Sequence, residues 1–257
     1  MSICISNLYY RIGDAILLDD ISVKIKKGSI VAVVGPNGSG KTSLTKVTSG
    51  EVKASAGRVS VGDRDIQSLS LDERACRLAV LPQESALDFP FTVQEVVQMG
   101  RIPQMTSMEI NRQIVEEVLL EMQLEQLRLR VYPTLSGGEK QRVQIARVLC
   151  QVWDVREHAC LFLDEPTAAL DLSHQIALFN TLARLRNDGI TVLVVLHDIN
   201  LALRYAEQVI LLSSGHLLAS GAPLDVLNEA NLQDAFNVGI EIFATNDARR
   251  PFILARD

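Results

Sequence analysis

The apolar run IVAVV at residues 30–34 leads directly into GPNGSGKTS at residues 35–43. A run this dense in valine and isoleucine reads as a buried strand. The glycines after it make a loop, and residues 43–49 can continue as a helix, which is the setting that G-x-x-x-x-G-K-[ST] requires. Such a loop turns successive backbone N–H groups inward at a helix N-terminus, whose partial positive charge favours anions. Gly35, Pro36, Asn37, Gly38, Ser39, Gly40 and Ser43 are therefore candidate phosphate-binding positions. Lys41 adds a full charge against the β- and γ-phosphates, and the Thr42 hydroxyl can ligate Mg²⁺.

At 257 residues with 47% hydrophobic side chains, the chain can fill one large domain or two small ones. Its longest apolar stretches, such as residues 190–196, fall far short of the roughly 20 residues that span a bilayer. The start, MSICISNLYYRIG, has neither a basic region nor a small-residue cleavage site. The expectation is a chain without transmembrane helix or secretory signal that stays in the cytoplasm. Cys4, Cys76, Cys150 and Cys160 show no C-x-x-C or Cys/His pairing and read as reduced packing thiols. A net charge of −6 without a basic run argues against nucleic acid as the main partner.

The organisation is that of an α/β protein with an insertion. Short β-rich runs fill residues 3–61, broken at Gly13, Lys27-Gly28 and Gly57, and a further strand ends at Pro82-Gln83. From about residue 84 to 153 the character turns helical, with Ile110, Ile114, Val118 and Met122 at four-residue steps. Strands return after Cys160, alternating with helices over LSHQIALFNTLARL, INLALRYAEQ and PLDVLNEANLQDAF.

A second glycine-bearing helix start lies at residues 135–139, LSGGE. Val143, Ala146, Cys150 and Trp153 follow at helical spacing, so Ser136, Gly137 and Gly138 stand where bare N–H groups again suit a phosphate. Taken alone, S-G-G-E is only a helix cap. Residues 159–165, ACLFLDE, form an apolar strand ending in two carboxylates, which alternation places on different faces. Asp164 is placed to hold Mg²⁺, and Glu165 to take a proton from an attacking water. His197 ends the apolar run ITVLVVL, and Gln83 ends another, with an amide oxygen able to reach the metal or the water. Ligands of open α/β sheets bind at such strand ends.

In the order GPNGSGKT, Gln83, LSGGE, LFLDE, Asp171 in AALD and His197, the chain resembles the nucleotide-binding subunit of ABC transporters over essentially its whole length. The LSGGE pentapeptide separates that family from the GTPases, kinases and helicases that share the first loop. The resemblance implies a P-loop NTPase core with a mixed, largely parallel sheet and an inserted helical subdomain, all in one nucleotide-binding domain. It also implies ATP and Mg²⁺ as cofactors, and catalytic roles for Glu165, His197, Lys41 and Gln83. Two copies would pack head to tail, with each ATP between the phosphate loop of one and LSGGE and Asp171 of the other. Two permease subunits and, indirectly, a periplasmic substrate-binding protein would complete an importer, placing the chain peripherally on the cytoplasmic face of a bacterial inner membrane.

The segment SALDFPFTVQEVVQMGRIP resembles importers of iron chelates, haem and cobalamin, where this region faces the permease. The long CQVWDVREHACLFLDEP spacing and LDLSHQ look like the haem branch. Siderophore or cobalamin import is the alternative. A DNA-repair relative would carry a long coiled coil between Gln83 and LSGGE, and a ribosome-acting one would carry two cassettes. Two positions depart from the family pattern. Ala168 replaces a serine of the dimer contact, and the adenine-stacking aromatic aligns near Ile12, with Tyr9 and Tyr10 just before it.

Overall fold

The strongest apolar runs of the sequence become strands buried on both faces. A computed structural model describes residues 1–83, 87–155, 159–243 and 252–255. Its strands are β1 (Ile3–Ile12), β2 (Ala15–Ile25), β3 (Ile30–Val34), β4 (Ala56–Val61), β5 (Arg64–Asp65), β6 (Leu78–Leu81), β7 (Cys160–Asp164), β8 (Thr191–Val195), β9 (Gln208–Ser213), β10 (His216–Gly221), β11 (Ile240–Phe243) and β12 (Phe252–Ala255). The helices are α1 (Lys41–Thr48), α2 (Leu71–Ala75), α3 (Val93–Met99), α4 (Met108–Glu121), α5 (Gly137–Val152), α6 (Leu172–Asn187), α7 (Ile199–Tyr205), α8 (Pro223–Val226) and α9 (Glu229–Phe236).

The central sheet runs β10-β9-β3-β8-β7-β6, and all of its pairings are parallel except β10 with β9. Every residue of β3, β7 and β8 is buried. Alternation divides their side chains between two cores. Ile30, Ala32, Leu161, Leu163, Val192 and Val194 face a cluster that also takes residues of α3 to α6. Val31, Val33, Phe162, Leu193 and Val195 face a second cluster, shared with Leu44 of α1 and an antiparallel sheet of order β2-β1-β4-β5. Each fully buried side chain of this size contributes about 1.5–3 kcal/mol, so β3, β7 and β8 are anchored from both sides.

Because β3, β8, β7 and β6 are neighbours and point the same way, their carboxyl ends share one edge. That edge carries the glycine loop, His197, Asp164-Glu165 and Gln83. Helices α3, α4 and α5 lie between β6 and β7 in the chain, over the expected inserted span. The start of that span, residues 84–86, and residues 156–158 of the long spacing lie outside the described residues.

The helix expected from the spacing of Ile110, Ile114, Val118 and Met122 is α4; Ile114, Val118 and Met122 are buried, and Ile110 in its first turn is 46% exposed. One expectation of detail needs correction. The stretch PLDVLNEANLQDAF is two helices. Asn228 interrupts it, accepting from the Asn231 N–H at 2.9 Å and so capping α9.

Candidate functional site

The loop after β3 is shaped by close backbone approach. Gly35 adopts φ 151°, and a Cβ there would lie 2.2 Å from the Leu212 carbonyl oxygen. Gly40, at φ 99°, leaves no room either, since a Cβ would meet the Leu17 oxygen at 2.7 Å. Only glycine combines these angles with this proximity. The result is a tight turn that delivers Lys41 to the start of α1 with no side-chain cap, so the first N–H groups of the helix stay available.

Lys41 is buried, and its Nζ donates to the Gly35 oxygen at 2.9 Å and to the Pro36 oxygen at 2.8 Å. Burial lowers its pKa, opposed by the nearby carboxylates of Glu165 and Asp164. An ammonium satisfied only by neutral carbonyls has a better partner in an anion. The cleft in front of it has a volume of about 500 Å³, and Asn37, Lys41, Thr42, Gln83, Glu165 and His197 are among its walls.

Asp164 ends β7 and is buried, which raises its pKa, while a hydrogen bond from Thr42 opposes the rise. Its Oδ1 is buried with no hydrogen-bond partner. A bare carboxylate oxygen beside a hydroxyl is the donor chemistry of a hard cation such as Mg²⁺. Among the described residues, no group of three or more His, Cys, Asp or Glu could hold a metal alone. A cation here would complete its shell with water and phosphate oxygens, as Mg²⁺ commonly does. Gln83 and Thr42 also line a neighbouring cavity of about 600 Å³ that includes Asp164 and Arg147.

One residue further on, Glu165 adopts φ 50°, a left-handed conformation uncommon outside glycine. Its carboxylate contacts His197, whose Nε2 lies 2.6 Å from the Glu165 Oε1. Backbone strain of this kind costs on the order of 1–3 kcal/mol and clusters where chemistry is done.

The second helix start is built differently. Ser136 closes a capping box on α5: its N–H donates to the Glu139 carboxylate at 2.7 Å, and its Oγ accepts from the Glu139 N–H at 3.3 Å. Hydrogen bonds from Ser136, its backbone N–H first, hold the Glu139 carboxyl below its ordinary pKa. Ser136 and Gly138 line a separate cavity of about 220 Å³ with Asp171 and His174. Asp171 caps α6, and its carboxyl is pulled down to about 2 by the His174 N–H, the Ser173 hydroxyl and the His174 ring.

The expected positions thus fall into two sets. Phosphate-loop residues, Gln83, Asp164, Glu165 and His197 gather on one edge, whereas Ser136, Gly138 and Asp171 line a cavity that shares no wall residue with the first cleft. Leu17, which also lines the first cleft, carries no motif and comes from β2, in the other sheet. His174 stands in the sequence only as part of LDLSHQ, and Arg147 is one of several charged residues of α5 with no pattern to mark it. Ile12 is largely exposed at the end of β1, and Tyr9 and Tyr10 are partly buried.

Known proteins share the sequence pattern and the fold. Residues 18–168 match the family described as ABC transporter. The chain is 41% identical over 98% of its length, and 99% of the relative's, to the hemin import ATP-binding protein HmuV of Pseudomonas entomophila (strain L48). It is 43% identical to the protein of that name from Gloeobacter violaceus, over 89% of this chain and 84% of the other. Among solved structures, an ABC transporter in an inward-facing conformation superposes with a TM-score of 0.82 at 24% identity, covering 100% of this chain and 98% of that one. CbiO1 from Clostridium perfringens, part of the ABC transporter complex cbiONQ, gives 0.75 at 28% identity, over 91% and 94% of the two chains.

Proposed function

This chain belongs to the ABC transporter ATPases, and from that premise we propose that it hydrolyses ATP at a site shared by two copies to power the import of haem. The observation that carries the shared site is the separation of the two phosphate cradles into cavities with no wall residue in common. One cradle cannot complete the other within a chain. A head-to-tail pair brings the Ser136 cradle of one copy onto the glycine loop of its partner, forming two sites related by a two-fold axis.

In this reading Lys41 exchanges the Gly35 and Pro36 carbonyls for phosphate oxygens. Thr42 and Asp164 hold Mg²⁺, with Gln83 reaching the same place from β6. The ion supplies charge neutralisation at the transferring phosphoryl group. Glu165 takes the proton of the attacking water, and His197, in contact with it, holds the carboxylate in place. Ser136, Gly137, Gly138 and Asp171 close the site from the partner.

Among the described residues, no helix is long and apolar enough to cross a membrane. Association with a membrane permease follows from the family, and the helical insertion is the surface we assign to it, on the cytoplasmic face of the inner membrane. The haem assignment is supported by relatives of that name at about 40% identity across nearly the whole chain. The test is genetic and biochemical together. A strain lacking this chain loses growth on haem as sole iron source and keeps growth on ferric siderophores. Wild-type protein restores growth on haem, whereas Glu165→Gln does not, although the purified variant binds ATP and hydrolyses it at least about 10²-fold more slowly. Loss on siderophores with growth on haem intact would move the cargo to the siderophore class. Near-normal hydrolysis by the variant would remove Glu165 from its role.

A further inference from the structure

Within LDLSHQ, three donors converge on one oxygen. Asp171 Oδ1 accepts from the His174 N–H at 2.9 Å, from the Ser173 hydroxyl at 2.8 Å, and lies 2.7 Å from His174 Nδ1. An ionised carboxylate only accepts, so Nδ1 carries the proton of that contact. Capping α6 needs only the backbone N–H. The imidazole is therefore surplus to the cap.

Nor does the imidazole hold the path of the loop. Gln141 Nε2 donates to the Pro166 oxygen at 3.1 Å, and Gln175 Nε2 to the Leu170 oxygen at 3.0 Å. The loop also presses on the second cradle, where a Cβ on Gly138 would lie 2.9 Å from the Ala169 oxygen. What remains for His174 is the Asp171 side chain, 65% exposed and lining the same cavity as Ser136. All three donors use Oδ1, so Oδ2 stays outside the set with its direction fixed.

We propose that His174 is a positioning residue: its Nδ1–H locks the Asp171 carboxylate in one rotamer, presenting Oδ2 to a second copy of this chain when the ATP site closes. The proposal rests on the shared-site reading. A side chain immobilised before docking does not lose that freedom on docking, and the difference is worth about 2- to 10-fold in association.

The test is ATP-driven dimerisation of the full-length chain carrying Glu165→Gln, followed by sedimentation with Mg·ATP. His174→Phe keeps a ring and removes the donor, whereas His174→Asn keeps a donor near the Nδ1 position and removes the ring. Binding of a fluorescent ATP analogue to each monomer checks that both variants are folded. Expected is dimerisation about 2- to 10-fold weaker for His174→Phe and close to the parent for His174→Asn, with analogue binding unchanged in both. Dimerisation of His174→Phe at the parent's strength would overturn the proposal, as would equal weakening of both variants. If the parent itself stays monomeric with Mg·ATP, the shared-site reading fails and the clamp with it.

Discussion

In the proposed function the two cradles of this chain answer the same chemical need by different means. The first is made by backbone forced into place: Gly35 and Gly40 stand where a Cβ would strike the carbonyls of Leu212 and Leu17. It is lined on several sides, and a buried lysine waits within it. The second is a helix cap made from its own four residues, Ser136 to Glu139, with open space around Gly137. The first cleft, about 500 Å³, holds a lysine of its own, whereas the second, about 220 Å³, has no lysine among its walls and in the proposed dimer draws on the partner's loop. Substituting single glycines tests this contrast directly.

Gly35→Ala has the largest expected effect. A Cβ at 2.2 Å from a backbone oxygen cannot be relieved by a side-chain movement, so the loop or β9 must shift. We expect a loss of about 2–5 kcal/mol in urea unfolding, combining overpacking with backbone strain. ATP binding, read by titration with a fluorescent analogue, should vanish with it. A variant that binds ATP normally would show that the first cradle is not built on this contact.

An intermediate effect is expected at Gly137, and it should split stability from activity. Nothing lies within 4 Å of a Cβ placed there, so Gly137→Ala should stabilise the first turn of α5 by about 0.4–1 kcal/mol. In the proposed dimer the same methyl would stand where a phosphate of the partner's ATP enters. ATPase activity should therefore fall at least about tenfold, a loss of about 1.4 kcal/mol or more in transition-state stabilisation. A variant both more stable and fully active would break the comparison, because the second helix start would then be a cap and nothing more.

The smallest effect is a pH dependence. The Asp171 carboxyl has a folded pKa of about 2, below its ordinary value of 3.8. Such a depressed carboxylate contributes stability that is fully present above its unfolded pKa and is lost as pH falls through the folded one. Stability owed to this cap should thus be constant above about pH 5 and should decline between about pH 4 and pH 2. Thermal unfolding of wild type and Asp171→Asn across that window checks it: their difference should shrink as pH falls. A difference that stays constant would mean that the carboxylate's charge contributes nothing to the cap.

The two sets of residues were unequally legible. The glycine loop, LSGGE, the acidic strand end and the histidine after ITVLVVL all stood out as patterns, because each is a short local arrangement. Leu17 did not. It enters the wall of the first cleft from the neighbouring antiparallel sheet and has no periodic or chemical mark of its own. The contact between His197 and Glu165 was equally invisible, since 32 positions separate them in the chain and only the adjacency of β7 and β8 joins them.

The sequence by itself determined which segments become buried strands and which residues stand at their ends, because dense apolar runs leave the chain no other way to remove them from water. It determined both helix starts too, since glycine loops and Ser-x-x-Glu caps are local interactions between neighbours. The tertiary structure alone decided that β3, β8, β7 and β6 lie side by side, bringing Lys41, His197, Glu165 and Gln83 to one edge. It alone put the Ser136 cradle in a separate cavity that shares no wall residue with the first cleft. Strand order depends on how two hydrophobic cores close around a sheet, and that is a property of the packed whole which no window of residues contains.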